Sequence, residues 1–564
     1  MATALSAGVF TKASVASADP IGGETANGIV QPPGGRLSHA TELRMGEAML
    51  DGAAGTATNI NNGDEAHYPD KGGSFTKGLT HNQWGQVDLN AFGTLKTAMA
   101  TGRFSDFEQI IMGGTRTLNG PQGGLCYDLE ARDNVQFGQP VVPPAPAIAG
   151  SQSGAEMVEM YWASLLRDVA FTDYASNSLA AMAAQELSRL LPSWYTGPRN
   201  GRGQVTPDLL FRGGFPGETL GPYVSQFFLM PTYFGAQPIG QQQVTYLPNI
   251  NYLTDFNDWL PVQNGNYSGQ VNQTDPVLRY RRNGRDLAAF THVDVLYQAY
   301  FVAFLVLATM QAPLSPGTPF NPEIPANAPL NSGNPYLSSK TENGFGTFGP
   351  ADFAGTLTEV AAKALDAVWY QKWWVHLRPR PEAAGGIVSI NKGYPVDGRT
   401  NVTMSDVVLN SVGLQQSYQA NGSWLLSQTF PEGSPVHPAY PTGHGTVGGA
   451  CITVLKFFFD GTYVIPNPVI PTSDGLSLLP YTSSKAAQLT VNGELNKLGH
   501  NVTFGHGIHA GIHWRSDSDI SLKLGEAVAL DMLQHKAATY NEPFAVQLTK
   551  FDGTIATITN RGNP

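Results

Sequence analysis

Three short segments gather histidine with basic residues, glycine and proline. They are KWWVHLRPRPE from Lys372 to Glu382, HPAYPTGH from His437 to His444, and HGIHAGIHWRSD from His506 to Asp517. Together they hold what an oxyanion site needs. Lys372 offers a point charge and Arg380 a planar fork of donors. Thr442 offers a hydroxyl. Gly443 lies where a helix starts, so its backbone N–H adds to the positive potential of a helix N-terminus, and glycine lets an anion approach the chain. Histidine supplies a nitrogen ligand or nucleophile, and a second histidine an acid or base near neutral pH. Singly, each segment reads as a solvated helix end, a helix cap or a salt-bridged turn. The three in this order point to one buried anion, with Lys372, Arg378, Arg380 and Arg515 clustered around it.

The elements that must position them read as helices. Apolar spacing predicts helices over 36–50, 90–112, 151–171 and 174–191, the last stopped by Pro192. Residues 283–311 read as one apolar helix. Its most apolar run, Val295 to Met310, is too short for a membrane span and fits a buried core helix. Further helices are expected over 352–376, 444–459, 491–504 and 517–534. Strand-like pieces such as QQVTYL (242–247) are short, residues 139–147 form a Pro-rich connection, and 312–349 read as a long loop. The fold class is mainly α: helical bundles, in two four-helix-bundle-like cores, with long loops and a few short β pieces.

Composition agrees with that class. The chain has 564 residues, and only 14% are charged, against about 25% in an ordinary globular chain. Gly (63) and Pro (40) are in excess, and 41% of residues are hydrophobic, too many for a disordered polymer. Length alone suggests about four domains. Convergence of residues from Lys372 to His513 argues instead for one catalytic domain, 151–564, preceded by an extension, 1–150, that serves as an oligomer-forming arm with packing helices. The net charge of −11 disfavours nucleic acid and a polybasic membrane anchor. Cys126 and Cys451 are too few for a disulfide framework, and their pairing stays open. The N-terminus lacks an apolar signal-peptide core. The chain reads as soluble, and its compartment stays open.

The three segments resemble those of the vanadium-dependent haloperoxidases and the related acid phosphatases. GAEMVEMYWASLLRDVAFTDYA, HVDVLYQAY and GELNKLGHNVTFG extend the likeness to the algal and bacterial haloperoxidases over roughly 150–535. The resemblance implies a vanadate cofactor with neither haem nor flavin, and oxidation of halide by hydrogen peroxide to hypohalous acid that halogenates small organic nucleophiles. His513 would be the axial metal ligand. Lys372, Arg380, Thr442 and the Gly443 N–H would bind the equatorial oxygens, and His444 would be the acid–base residue. His437 matches the second histidine of bromoperoxidase-like members and favours bromide or iodide. Trp369 would line the halide side, and Asp294 would hold an arginine or histidine. A homo-oligomer is expected, with no membrane span and no nucleic acid.

Two positions depart from the pattern. Thr442 stands for the usual serine and keeps its hydroxyl. The family arginine six residues before the axial histidine is Gly507 here, and no arginine occurs in 485–514. His506 or His509 would replace it. The other readings are a phosphatase with His513 as phosphohistidine nucleophile, a non-catalytic assembly protein, and a zinc site from His506, His509 and His513 that lacks an HExxH or cysteine partner.

Overall fold

The computed structural model describes residues 36–54, 58–126, 142–310 and 328–560. The expected arm at 1–35, part of the Pro-rich connection and the first part of the 312–349 loop lie outside the described residues. The longer helices are α1 (Arg36–Ala54), α2 (Leu89–Thr101), α3 (Ser151–Leu166), α4 (Ser178–Arg189), α5 (Gly284–Val293), α6 (Gln298–Thr309), α7 (Pro350–Tyr370), α8 (Pro381–Asn391), α9 (Val412–Asn421), α10 (Gly443–Phe458), α11 (Val491–Phe504) and α12 (Arg515–Thr539). Among the described residues, strands form three two-stranded antiparallel hairpins. The chain is mainly α, as its periodicity implies.

Local chemistry sets the boundaries. Asp88, Asn177, Asn283 and Thr490 cap α2, α4, α5 and α11 by accepting a backbone N–H of the first turn. Pro350 and Pro381 open α7 and α8, where a missing N–H costs nothing. Three expectations need correction. The 90–112 pattern breaks at Gly102, whose φ of +64° ends α2. The 242–247 piece makes only isolated bridges, Gln243 to Arg279 and Tyr246 to Thr274. The apolar segment 283–311 is two helices, α5 and α6, bent by 103° at their junction. Asp294 ends α5 there in extended backbone. The bend falls at the charged Asp294, just before the apolar run that starts at Val295. No single described helix is long and apolar enough to cross a membrane.

Helices α7, α10, α11 and α12 pack around one core, with Val447, Ala450, Ile452, Leu498, Leu522 and Val528 inside it. Glycines let α10 and α12 nearly touch. A methyl on Gly449 would lie 2.0 Å from the Leu522 carbonyl oxygen, and one on Gly525 would lie 2.0 Å from that of Thr446. A second group joins α3, α4, α9 and the short turn Asp406–Leu409.

Residues 58–125 are bound to the rest by a smaller core in which Phe75, Leu79, Phe92 and Leu95 meet Trp373 and Leu377. Phe75 meets Trp373 edge-on at 5.6 Å, and its N–H donates to Leu377 O at 2.7 Å. Cys126 and Cys451 are not bridged.

Candidate active site

Two π-helical turns interrupt the expected helices, and each carries a site residue. Gln371–His376 follows α7 and holds Lys372. Gly505–His509 follows α11 and holds His506. A π turn admits an extra residue and redirects the side chains after it. Leu377 (φ +42°) then turns the chain into Arg378-Pro379-Arg380.

Lys372, Arg380, Thr442 and His513 are all buried. The Lys372 ammonium donates to the carbonyls of Pro438 (2.8 Å) and Ala439 (2.9 Å). Arg380 donates to His437 O (2.9 Å), to Ile512 O (3.0 Å) and to His513 Nε2 (2.6 Å). Among the described residues no carboxylate pairs with either cation. Burial, then Arg380, pushes the Lys372 ammonium well below its ordinary range. Burial brings Arg380 down to about 9. Two buried cations held together with no directly paired carboxylate, Asp517 acting on both only at longer range, make a strong demand for an anion.

Asp517 orients His513. Its carboxylate accepts from His513 Nδ1 (2.9 Å), Trp514 N (3.1 Å) and Arg378 (2.7 Å). The proton on His513 therefore sits at Nδ1, and Nε2 keeps a lone pair facing Arg380. Burial, then Arg380 and Lys372, lowers the His513 pKa well below the usual imidazole range. His437 is lowered in the same way by burial, Arg380 and Lys372, and its ring lies 4.8 Å from that of Trp369.

Thr442 precedes α10 without capping it. Its Oγ1 is buried and makes no hydrogen bond to the protein. Gly443 is the first residue of α10, with Trp369 beside it, 3.3 Å from where a side chain would begin. His444, partly exposed, bonds through Nε2 to Asp294 Oδ1 at 2.9 Å. The bend between α5 and α6 is what brings Asp294 there. The His506 ring lies 4.5 Å from His444 and 5.8 Å from His513. Burial, then His444 and His513, pushes its pKa well below the ordinary value.

Not every predicted residue comes to this place. His509 faces away. Its ring lies among Phe171, Phe211 and Tyr223, and Nε2 bonds to the Tyr223 hydroxyl at 3.0 Å. The π turn defeats the four-residue spacing that would have set it beside His513. With His509 elsewhere the zinc triplet is not assembled, and among the described residues no group of three metal-type ligands converges. Two of the four clustered cations are also spoken for: Arg515 pairs with buried Glu159 (2.8 Å) and Arg378 with Asp517.

Sequence reading missed the part played by Asp517. The signal was present, since an acid four residues after a histidine, in the first turn of a helix, can both cap that helix and hold the imidazole. It also missed Lys77, whose ammonium reaches Glu382 (2.7 Å) and Ser434 O (2.7 Å) and ties the N-terminal region to the segment after Arg380.

The arrangement fits a tetrahedral oxyanion. It offers an unpartnered buried hydroxyl, two cations without carboxylates, a helix-start N–H and an imidazole nitrogen with its tautomer fixed.

Comparison with known proteins agrees. No family model matches the chain. It is 31% identical to a vanadium-dependent bromoperoxidase of Corallina officinalis, over 93% of this chain and 98% of that protein. It is 32% identical to that of Ascophyllum nodosum, over 93% and 92%. The homohexameric second vanadate-dependent bromoperoxidase of Ascophyllum nodosum superimposes with a TM-score of 0.84 at 27% identity, covering 96% of this chain and 93% of the other. The phosphatase and assembly readings draw no support from these relatives. The chain is an enzyme of the vanadium-dependent bromoperoxidase family.

Proposed function

We propose that this enzyme oxidises bromide with hydrogen peroxide to hypobromous acid, which halogenates small organic nucleophiles. The observation that carries the reading is the buried pair Lys372 and Arg380, held without a carboxylate beside the lone pair of His513 Nε2. His513 would hold the metal of a vanadate group, and Lys372, Arg380, Thr442 and the Gly443 N–H its oxygens. When bound, vanadate supplies a Lewis-acidic centre that activates peroxide toward halide without changing its own oxidation state.

The chain's own residues do the rest. Lys372 and Arg380 place positive charge where negative charge accumulates, in a water-poor pocket where each is worth more than in bulk. His444, tied through Nε2 to Asp294, has Nδ1 left to take a proton from hydrogen peroxide and return it to the leaving oxygen. Trp369 and His437 form the wall on the halide side. We further assign 151–564 as the catalytic domain and 1–150 as an extension that packs on it. The chain forms a homo-oligomer in this reading, as its structural neighbour does, and the exposed Leu37, Met45 and Met49 of α1 offer an apolar contact for it.

Bromination of a phenol-type dye with orthovanadate, peroxide and bromide tests the activity. The wild type should brominate and release little phosphate from p-nitrophenyl phosphate. His513→Ala should lose bromination by 100-fold or more, a barrier increase of roughly 3 kcal/mol. Phosphate release without vanadate-dependent bromination would sink the reading.

A further inference from the structure

Besides His437, whose ring faces Arg380 and Trp369, three imidazoles at this site share one bonding pattern. His513 gives its Nδ1 proton to Asp517 and His444 its Nε2 proton to Asp294. His506 has Nδ1 3.3 Å from the carbonyl oxygen of Thr291. A carbonyl can only accept, so the proton of the neutral His506 ring sits on Nδ1. Nε2 is then an acceptor, because a neutral imidazole carries one donor and one acceptor. The partly exposed ring lies beside both His444 and His513, 4.5 Å and 5.8 Å between centroids, which sets this acceptor at the edge of the same pocket. Of the other groups there, Lys372, Arg380 and the Gly443 N–H are donors, the Thr442 hydroxyl can donate or accept, and His444 Nδ1 is a second acceptor.

That mixture of donors and acceptors discriminates among anions. A tetrahedral oxyanion stripped of every proton satisfies the donors but sets an oxygen lone pair against the lone pair of His506. An oxyanion that keeps a hydroxyl satisfies both. A group built to hydrogen-bond a hydroxyl rejects an analogue without one, because a buried polar atom is left unpaired.

We propose that His506 is an oxyanion-selecting residue of this chain: its Nε2 accepts a hydrogen bond from a hydroxyl of the bound oxyanion. The pocket thereby takes oxyanions that stay protonated at neutral pH, the class of phosphate and vanadate, and disfavours sulfate. The inference rests on the oxyanion reading above and adds to it the protonation state of the ligand.

Binding of phosphate, sulfate and orthovanadate to the full chain at pH 7.5, followed by calorimetry, tests it without turnover. The wild type should prefer phosphate to sulfate by about tenfold, the worth of one hydrogen bond. His506→Arg replaces an acceptor by a group that only donates. It should bind sulfate more tightly than the wild type and bring the ratio toward one. His506→Ala should lower the ratio without the gain in sulfate binding, and it decides the matter should the arginine variant not fold. Equal affinity for the two ions in the wild type, or an unchanged ratio in the variants, overturns the proposal and leaves the oxyanion site standing if vanadate still binds. Failure of the wild type to bind any of the three ions removes both.

Discussion

One carboxylate oxygen of Asp517 holds Arg378 while the other holds His513 Nδ1 and Trp514 N. An amide at this position offers a single acceptor and turns N–H groups toward donors. Asp517→Asn should therefore weaken orthovanadate binding by about 10- to 100-fold, the usual cost of losing a ligand's supporting partner. It should also remove the nearer of the two carboxylates paired with buried Arg378, leaving Glu156 at 3.7 Å, and cost about 1.5–3 kcal/mol in denaturant unfolding. His500 ties the stability to pH. It bonds to Glu218 and Asp519, and these carboxylates outweigh burial and hold its pKa up at about 9. The folded pKa lies above the unfolded value of about 6.5. The stability from this group is thus complete below about pH 6.5 and is lost as pH rises through about 9. A series of Tm values over that window should fall for the wild type more steeply than for His500→Gln, and equal slopes would refute the assignment.

At the scale of elements, two helix starts bring the site together. Thr442 and Gly443 open α10, and His513 stands just before α12. The α10–α12 contact thus sets the distance between the Thr442 hydroxyl, the helix-start N–H and the His513 imidazole. Gly525→Ala would drive a methyl to 2.0 Å from the Thr446 carbonyl oxygen. The variant should lose about 1–3 kcal/mol through overpacking, and phosphate binding should weaken with it. Gly355→Ala on α7, where nothing lies within 4 Å of the new methyl, should bind phosphate like the wild type. If calorimetry and thermal melts cannot distinguish the two variants, the helix contact does not set the site.

Across the whole molecule, the N-terminal region is part of the site's support. Lys77 and Glu382 form a buried pair at 2.7 Å, and Gln263 donates to the same carboxylate. The Glu382 carbonyl also accepts from the Trp259 indole N–H at 3.0 Å. Glu382 lies two residues after Arg380, so residues separated by about half the chain fix the loop that carries the guanidinium. Lys77→Met should cost about 3–5 kcal/mol by leaving a buried carboxylate unpaired, read from chemical denaturation. Lys77→Arg, which restores the charge, should recover part of it.

The sequence alone determined the class of chemistry and most of the helices. Scarce cations bunched with histidine, glycine and proline mark an oxyanion site, and apolar spacing with capping residues marks helices. Both are local properties, legible within about a dozen residues. It did not determine which cation meets which partner. Arg515 reaches Glu159 across 356 positions, and Arg378 reaches Asp517 across 139, so only Lys372 and Arg380 are left for the anion. Nor did spacing separate His506 from His509. A π turn and an aromatic pocket of Phe171, Phe211 and Tyr223 sent one to the site and the other to the core. Asp294 marks a polar break before the apolar run, but the sharp bend there depends on what the two helices pack against. Such choices depend on the packing of segments far apart in the chain, where burial makes each buried charge and each donor find a partner, and only the tertiary structure decides which.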